Sequence, residues 1–398
     1  MMTYRERMLA TLQGRPTDCI PFVPRLDLWY KANKYKGTLP DKYRNATLIQ
    51  ILDDLDVGYH SVTADRDLFD DSTDIVDRAL GIWRCRTKPH HPKFRNIKRN
   101  ISYQGDATIV EYLTPYGNIR TKVIYDESMR KAGITLSHVS EHAIKSVNDY
   151  EAVAYIFENA EVHPNYEGIA RLKEEVGDRA LVVGTASMGA SAMHHILHEL
   201  LPYDLFFCEY HDHYDELVRL AERMTPYINK VIDVAINSPA DIIQSGTNYD
   251  VQLTWPPFVK KHIVPSLAET AMKCRAAGKF LLSHTDGENK GLLPHFLAGQ
   301  IDIADSVCPA PMTSLTLKEI RTVFDGKITI WGGIPSVSVL ENSMTDYEFD
   351  AFLDDLFVQI GAGDHLILSI ADTAPPGMKF SRLERIAKLA KEFGPVNQ

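Results

Sequence analysis

The sequence predicts an α/β fold, specifically a closed (β/α)8 TIM barrel with an N-terminal helical segment and a small antiparallel β insertion. From about residue 169 onward, short apolar strands alternate with amphipathic helices, and two earlier strands bring the total to about eight. Several of these strands are continuous apolar runs, which are typical of parallel strands covered on both faces. With 398 residues, of which 44% are hydrophobic, the chain can form one large barrel, so we expect a single domain over residues 1–398.

The chain begins with a predicted amphipathic helix. Thr3 and Glu6 have the spacing of a capping box, apolar residues follow at helical intervals, and Gly14 ends the helix. Two short apolar segments, residues 18–25 and 58–62, are the predicted first two strands of the barrel. These segments are separated by helical sequence, as βα units require.

The pattern changes between about residues 81 and 135. Polar and apolar residues alternate there in short runs, which are separated by Gly and Pro turns such as residues 115–117. This alternation predicts a small antiparallel β insertion that is not part of the barrel. Ser146 then caps a new helix.

The second half of the chain alternates regularly between strand and helix. Predicted capping boxes begin at Thr345 and Ser381, and Gly361 ends a helix. The predicted strands cover residues 180–184, 240–246, 280–282, 301–307, 328–332 and 365–369.

The strand over residues 280–282 leads directly into His284 and Asp286. Side chains two residues apart in a strand point to the same side. The pair is therefore half of a metal site or an acid/base pair, or else it satisfies loop backbone groups. Barrel active sites lie at the C-terminal strand ends. The other residues predicted to converge there are Arg25, Asp27, residues 184–188, Gln244, Cys308, Trp331 and Asp372.

Composition restricts the partners and the compartment. The formal net charge is −10 with acidic residues spread along the chain, which argues against nucleic acid as a partner. Five cysteines, an odd number, contain no C-x-x-C pair and indicate a reducing compartment. No apolar run approaches the roughly 18 residues of a membrane span. We expect a cytoplasmic protein without membrane contact, either a monomer or a homodimer.

Several segments carry a resemblance to a known family. They are residues 5–21, residues 258–265, the His284-Thr-Asp-Gly287 turn, residues 331–333 and residues 366–376. In order and spacing, the chain resembles the uroporphyrinogen decarboxylase superfamily over essentially its whole length, which implies a TIM barrel. This superfamily comprises tetrapyrrole decarboxylases and zinc-using, corrinoid-linked methyltransferases.

The resemblance is closer to the methyltransferases. The decarboxylases carry an arginine-rich segment after the first strand and a Tyr after the third, and residues 25–30 and 184–193 match neither feature. Residues 112–119 are similar to the methyltransferase group. In its thiol methyltransferases, zinc is held by a His-x-Cys after the fifth strand and a Cys after the eighth, and the matching positions are His284, Asp286 and Asp372.

Carboxylates thus replace both thiolates, which leaves a harder and more Lewis-acidic zinc, or another divalent metal. Such an ion suits polarising an ether oxygen. The resemblance therefore implies an O-demethylase methyltransferase that moves a methyl group from a small methoxylated, aromatic substrate to the cobalt of a corrinoid protein. An Asp-x-His-x-x-Gly motif is missing from the sequence, so the corrinoid would be supplied by a partner.

Further residues are predicted to bind the substrate or complete the site. Arg25, Asp27 and His195 would orient it, Cys308 is a candidate fourth ligand, and the pocket would be lined by Trp29, Met188, Met193 and Trp331. His194, His195 and His198 are expected on a helical or loop surface. Two alternatives stay open: a decarboxylase-like lyase with Asp286 or Asp27 as a metal-free acid/base group, and a non-catalytic corrinoid- or tetrapyrrole-binding protein.

Overall fold

The computed structural model describes residues 1–63 and 75–397, which form a mixed α/β fold. Six strands make a parallel sheet, four make an antiparallel sheet, and two form a separate antiparallel pair. The strands are β1 (His90–Phe94), β2 (Lys98–Gln104), β3 (Ala107–Thr114), β4 (Gly117–Ile124), β5 (His138–Glu141), β6 (Ala160–Pro164), β7 (Val183–Ser187), β8 (Ile242–Thr247), β9 (Phe280–His284), β10 (Ile303–Val307), β11 (Thr329–Pro335) and β12 (Leu366–Ala371).

Helices pack against the parallel sheet. The α-helices are Tyr4–Leu12, Asp27–Lys36, Leu48–Leu55, Glu127–Ala132, Tyr150–Glu158, Tyr166–Val176, Ala192–His195, Tyr203–Asp212, Tyr214–Ile236, Pro256–Phe258, Val264–Ala276, Leu293–Ala298, Leu317–Phe324, Asp346–Ile360 and Phe380–Glu392. There are two π-helical turns beside them: Ile196–Leu200 follows the helix Ala192–His195, and Val259–Ile263 links the helices Pro256–Phe258 and Val264–Ala276.

Capping chemistry decides where several helices begin. The predicted capping boxes at Thr3 and Thr345 are confirmed, because each Thr side chain accepts from the backbone N–H three residues later. The predicted cap at Ser381 is wrong. The last helix begins at Phe380, one residue earlier, and its N-cap residue Lys379 makes no side-chain capping bond.

The parallel sheet has the strand order β7-β8-β9-β10-β11-β12, with every neighbouring pair parallel. All six strands overlap the segments predicted from sequence or begin within a few residues of them. β7 starts at Val183, later than predicted, because the Val182 N–H donates to the Asp241 side chain at 2.9 Å instead of to a neighbouring strand. The side chains of β8, β10, β11 and β12 are buried on both faces, as expected for parallel strands.

Neither of the two early segments predicted as strands forms a regular strand. They do make backbone hydrogen bonds near both edges of the parallel sheet. On one side, the Val23 N–H donates to the Leu368 carbonyl at 2.8 Å; on the other, the Tyr59 N–H donates to the Arg179 carbonyl at 3.1 Å. The Gly58 N–H donates to the Phe22 carbonyl at 2.9 Å and joins the two segments. Closure into an eight-stranded barrel stays a prediction.

The antiparallel insertion is larger than its sequence pattern indicated. β2, β3, β4 and β5 form a four-stranded sheet in chain order, and β5 extends it to residue 141. β1 pairs with β6, which follows the helix Tyr150–Glu158. The alternating polar and apolar pattern stops near residue 135 because residues 125–137 contain a helix and a loop. After this loop, β5 pairs with β4.

Within residues 1–63 and 75–397, no helix combines the length and the apolar character that crossing a lipid bilayer requires.

Candidate metal centre at the strand ends

His284 is the last residue of β9, and its imidazole is hydrogen-bonded to a carboxylate of the neighbouring strand. Its Nδ1 lies 2.6 Å from Asp305 Oδ2 of the neighbouring strand β10, and the parallel register places these two residues side by side. A carboxylate accepts only, so Nδ1 donates, and in the neutral imidazole Nε2 carries the lone pair. Nε2 faces Asp372, whose Oδ1 is 3.4 Å away. This is the arrangement of a metal-ligating histidine with a carboxylate behind it.

Three side chains bring ligand atoms together at this point. His284, Asp286 and Asp372 each offer one ligand atom, and these atoms lie within 4.8 Å of one another. No other trio of His, Cys, Asp or Glu residues in the described parts of the chain meets that condition. One imidazole and two carboxylates fit zinc or another divalent metal of similar hardness. The three residues can therefore hold such an ion.

Asp372 is fixed by two further contacts. Its Oδ1 accepts from Arg25 Nη1 at 2.5 Å and from Ser306 Oγ at 2.8 Å. Burial alone would raise the pKa of Asp372, but the charges of Arg25 and His284 outweigh it and lower the pKa to about 2. Asp372 is therefore a carboxylate at neutral pH, which is the form that binds a metal.

The other two members of the trio titrate differently. Burial raises the pKa of Asp286, and the negative charge of Asp372 raises it further. For His284, burial opposes protonation, but the Asp305 hydrogen bond and the charge of Asp372 raise its pKa above the ordinary value. The site thus concentrates negative charge, and a bound cation would relieve the repulsion between its two carboxylates.

Asp305 is completely buried and interacts with two imidazoles. Besides His284, His60 approaches it, with Nε2 3.4 Å from Asp305 Oδ1. Burial would raise the pKa of Asp305, but the interactions with His284 and His60 hold it well below its ordinary value. A permanently charged carboxylate behind His284 fixes the ring orientation and raises the basicity of the ring nitrogen that faces the site.

The trio opens into a cavity of about 240 Å³. Its charged lining residues are Arg25, His284, Asp286 and Asp372. Its uncharged polar lining residues are Thr135, Gln244, Thr247, Asn248 and Thr373. Its apolar lining residues are Leu28, Val62, Ile134, Leu136 and Met188. The cavity combines a charged end that can hold a metal with apolar surface that can hold an organic ligand.

Arg25 and Met188, both predicted to bind substrate, line this cavity. Asp27 is buried beside Arg25, with Oδ1 3.1 Å from the arginine Nε, and it also accepts from Thr373 Oγ1 at 3.3 Å. Asp27 thus positions Arg25 rather than lining the cavity.

Two predicted aromatic pocket residues lie elsewhere. Trp29 is buried and stacks on Phe380, with ring centroids 5.4 Å apart. Trp331 is fully buried in β11, where its Nε1 donates to the Val23 carbonyl at 3.2 Å. Neither lines the cavity, because both side chains are buried against other parts of the interior.

Met193 and His195 also lie away from the cavity. Met193 belongs to the main hydrophobic core. His195 is buried, and its Nε2 donates to the Leu80 carbonyl at 2.9 Å. The expectation that His194 and His195 lie on the surface is wrong, because the helix Ala192–His195 is buried on all sides.

Cys308, the predicted fourth ligand, lies near the trio but is not part of it. Burial raises the pKa of its thiol to about 12, and the charges of Asp286 and Asp372 contribute. At neutral pH it is a thiol, with Sγ 3.8 Å from the Ala371 carbonyl oxygen.

Sequence reasoning missed Asp305, Ser306 and the cavity-lining residues of the insertion. Asp305 is an acidic residue inside an otherwise apolar strand, which is itself a signal, since buried charges are paired or bind metals. Ser306 follows it directly. The loop residues Ile134 and Leu136 carry no sequence signal for the cavity.

In comparisons with known proteins, no family model matches the chain, and no curated protein sequence matches it.

Proposed function

We propose that this chain is a divalent-metal-dependent methyltransferase of the uroporphyrinogen decarboxylase superfamily, which transfers a methyl group from a small methoxylated aromatic compound to the cobalt of a separate corrinoid protein. The observation that carries the proposal is the convergence of His284, Asp286 and Asp372 on one cavity, with Asp305 behind the imidazole. Zinc is the first candidate for the metal.

The proposal includes a closed (β/α)8 barrel as the scaffold. The hydrogen bonds of the segments around Phe22 and Tyr59 support closure, since they connect β12 to the residues before β7. The trio lies at the C-terminal ends of β9 and β12, where barrel enzymes carry their active sites.

A divalent ion held by the trio would supply Lewis acidity toward the ether oxygen of a methoxy group. The protein residues have separate tasks. Asp305 orients His284, Arg25 and Ser306 orient Asp372, and the apolar residues around Met188 exclude water from the reacting group. Holding the reactants in one geometry is a large part of catalysis.

In the proposed reaction, Co(I) of the corrinoid protein donates an electron pair to the methyl carbon. The bond between that carbon and the ether oxygen breaks, and its electron pair stays on the oxygen. The oxygen leaves as a phenolate and takes up a proton to give the phenol. The methyl group ends on cobalt, so neither an external oxidant nor a reductant is consumed.

The proposed setting is the cytoplasm, with a corrinoid protein as partner. All five cysteines are free thiols, which fits a reducing compartment.

The test is methyl transfer in solution. The purified chain with zinc, 2-methoxyphenol and cob(I)alamin should convert the cob(I)alamin absorbance to that of methylcobalamin. The variant His284→Ala should not do so, whereas His211→Ala, which changes an exposed histidine, should behave like the wild type. No conversion by the wild type with any methoxylated benzene would refute the proposed reaction.

One observation favours a second candidate, a decarboxylase-like lyase. Asp286 lines the cavity, and burial together with the charge of Asp372 shifts its pKa upward, the direction that a general acid requires. The cavity of about 240 Å³ is small for a four-ring tetrapyrrole, so this lyase would act on a smaller acid. Full activity in a metal-free preparation would favour the lyase over the methyltransferase.

A further inference from the structure

The loop between the helix Glu127–Ala132 and β5 belongs to the insertion but reaches the cavity. Ile134, Thr135 and Leu136 all line the cavity into which the trio opens. We call residues 133–136 the wall segment. Since the insertion is outside the parallel sheet, this loop is the part of the insertion that meets the candidate site.

Gly133 fixes the wall segment against the helix Asp27–Lys36. Its φ is +71°, and a Cβ at this position would lie 2.5 Å from the Leu28 carbonyl oxygen. Only glycine allows this approach without a shift of the backbone. Leu28 itself lines the cavity, so the wall segment and this helix form one continuous surface.

Two side chains hold the next residue. The Ile134 carbonyl accepts from Tyr125 Oη at 2.7 Å and from Lys31 Nζ at 3.3 Å. The Ile134 N–H donates to the Met129 carbonyl at 3.0 Å. The backbone of Ile134 is therefore bonded on both sides, and its side chain has a defined position in the cavity.

The chemistry of the lining defines what this cavity accepts. Arg25, the one basic side chain in the described lining apart from His284, already donates to Asp27 and Asp372. A substrate carboxylate away from the metal would therefore meet apolar or uncharged groups, and burying an unpaired charge is costly. For size, an apolar cavity of about 150 Å³ binds benzene in another protein, so about 240 Å³ suits a single substituted ring.

We propose that the wall segment is the specificity determinant of the site, and that Ile134 and Leu136 restrict the organic ligand to uncharged, single-ring phenols and their methyl ethers. This inference rests on the proposed function for the choice of methyl ethers. The binding of the rings themselves depends only on the cavity.

Calorimetric titration of the purified full-length chain tests the inference without any methyl transfer. Phenol should bind more tightly than 4-hydroxybenzoate by about 100-fold, because a carboxylate para to the hydroxyl lies away from the metal and meets no charged partner there. Phenol should also bind more tightly than 2-naphthol by at least about tenfold, because the second ring collides with the wall segment. Equal affinities for phenol and 4-hydroxybenzoate would overturn the charge restriction.

Substitutions in the wall segment locate the size restriction. The double variant Ile134→Ala/Leu136→Ala should bind 2-naphthol at least about tenfold more tightly relative to phenol than the wild type does. Ile134→Phe fills the cavity instead and should weaken phenol binding. Tyr103→Ala, an exposed position on β2 of the same insertion, is the matched control and should leave both affinities unchanged.

The outcomes separate the two proposals. Selective phenol binding that disappears in the wall-segment variants, together with no methyl transfer, keeps the specificity inference and removes the proposed reaction. Methyl transfer with unchanged ring selectivity in both wall-segment variants removes the specificity inference and keeps the reaction.

Discussion

Two buried clusters of this protein combine histidine with carboxylate, and they differ in what the histidine ring nitrogens face. In the strand-end trio of His284, Asp286 and Asp372, one ring nitrogen is bonded to a carboxylate, and the other faces a second carboxylate 3.4 Å away at a cavity that both residues line. In the buried histidine cluster, formed by His194, His195, His198 and Glu199, one nitrogen of each imidazole contacts the backbone or a neighbouring side chain, and no three ligand atoms of the cluster lie within 4.8 Å of one another.

The buried cluster has the sequence spacing of a metal site but not its geometry. His194 and His198 are four residues apart, and their ring centroids lie 5.8 Å from each other. However, His194 Nδ1 accepts the Ala190 N–H at 3.1 Å, and His195 Nε2 donates to the Leu80 carbonyl. Burial lowers the pKa of both His194 and His195. Proximity of histidines is therefore insufficient, because a metal site also needs lone pairs directed at one accessible point.

The largest effects are expected when one histidine of each cluster is replaced. His284→Ala should lower zinc affinity by more than the roughly 10–100-fold that loss of an outer-shell partner causes, and abolish methyl transfer. His195→Ala should leave zinc affinity unchanged but lower the unfolding free energy by about 2–4 kcal/mol, because it leaves a cavity in the core. Equilibrium dialysis and urea unfolding measure the two quantities. If His195→Ala lost zinc and His284→Ala kept it, the zinc site would belong to the buried histidine cluster instead of the trio.

The second prediction concerns Glu199, which forms a buried ion pair with Arg78. Burial would raise the pKa of Glu199, but Arg78 and His198 lower it from 4.5 to about 2. A depressed pKa gives stability that is present above the unfolded-state pKa and is lost as the pH falls through the folded-state value.

The unfolding free energy of the wild type should therefore exceed that of Glu199→Gln by about 3 kcal/mol at neutral pH, at 1.36 kcal/mol for each pKa unit. This excess should disappear between about pH 4.5 and pH 2. Zinc affinity at neutral pH should be the same in both proteins. A pH-independent difference in stability would contradict the ionised state of Glu199.

The third prediction returns to the trio. Asp305→Asn keeps the size of the side chain but removes the charge behind His284, so zinc affinity should fall by about 10–100-fold. Asp302→Asn is the matched control, since Asp302 precedes the same strand and accepts the Leu281 N–H at 2.8 Å without contacting the trio. Competition with a chromogenic zinc chelator gives both affinities, and equal losses in the two variants would point to a general effect on the strand.

The smallest effects are expected from two serines. Ser306→Ala removes one hydrogen bond to Asp372, and zinc affinity should fall by less than about tenfold because Arg25 still holds the same oxygen. Ser191→Ala removes the cap of the His194 helix and should lower the unfolding free energy by about 1 kcal/mol without changing zinc affinity. Zinc competition and urea unfolding, each applied to both variants, show whether Ser306→Ala changes only zinc affinity and Ser191→Ala only stability.

The sequence predicted the six parallel strands and the trio because both depend on local patterns. An apolar run followed by His284 and Asp286 places two ligands on one side of a strand end, and Asp372 follows another apolar run. The metal-ligand positions implied by the resemblance are the same three residues. The positions of β9 and β12 in the sheet then bring them together.

The remaining features depend on register and tertiary packing, which a single sequence does not encode locally. Asp305 reaches His284 because β9 and β10 pair in a particular register, across 21 residues of sequence. Trp29 was predicted for the pocket, but it stacks on Phe380 from the far end of the chain. His195 was expected on a helical or loop surface, where histidines are mostly solvated, but its Nε2 has a buried backbone partner.

Zinc stoichiometry tests the central claim most directly. Equilibrium dialysis followed by elemental analysis should find one tightly bound zinc ion per wild-type chain, and none in the double variant Asp286→Asn/Asp372→Asn, whose folded state is checked by circular dichroism. A wild-type chain that binds no divalent ion, or a double variant that binds as much as the wild type, would contradict the assignment of a metal to His284, Asp286 and Asp372.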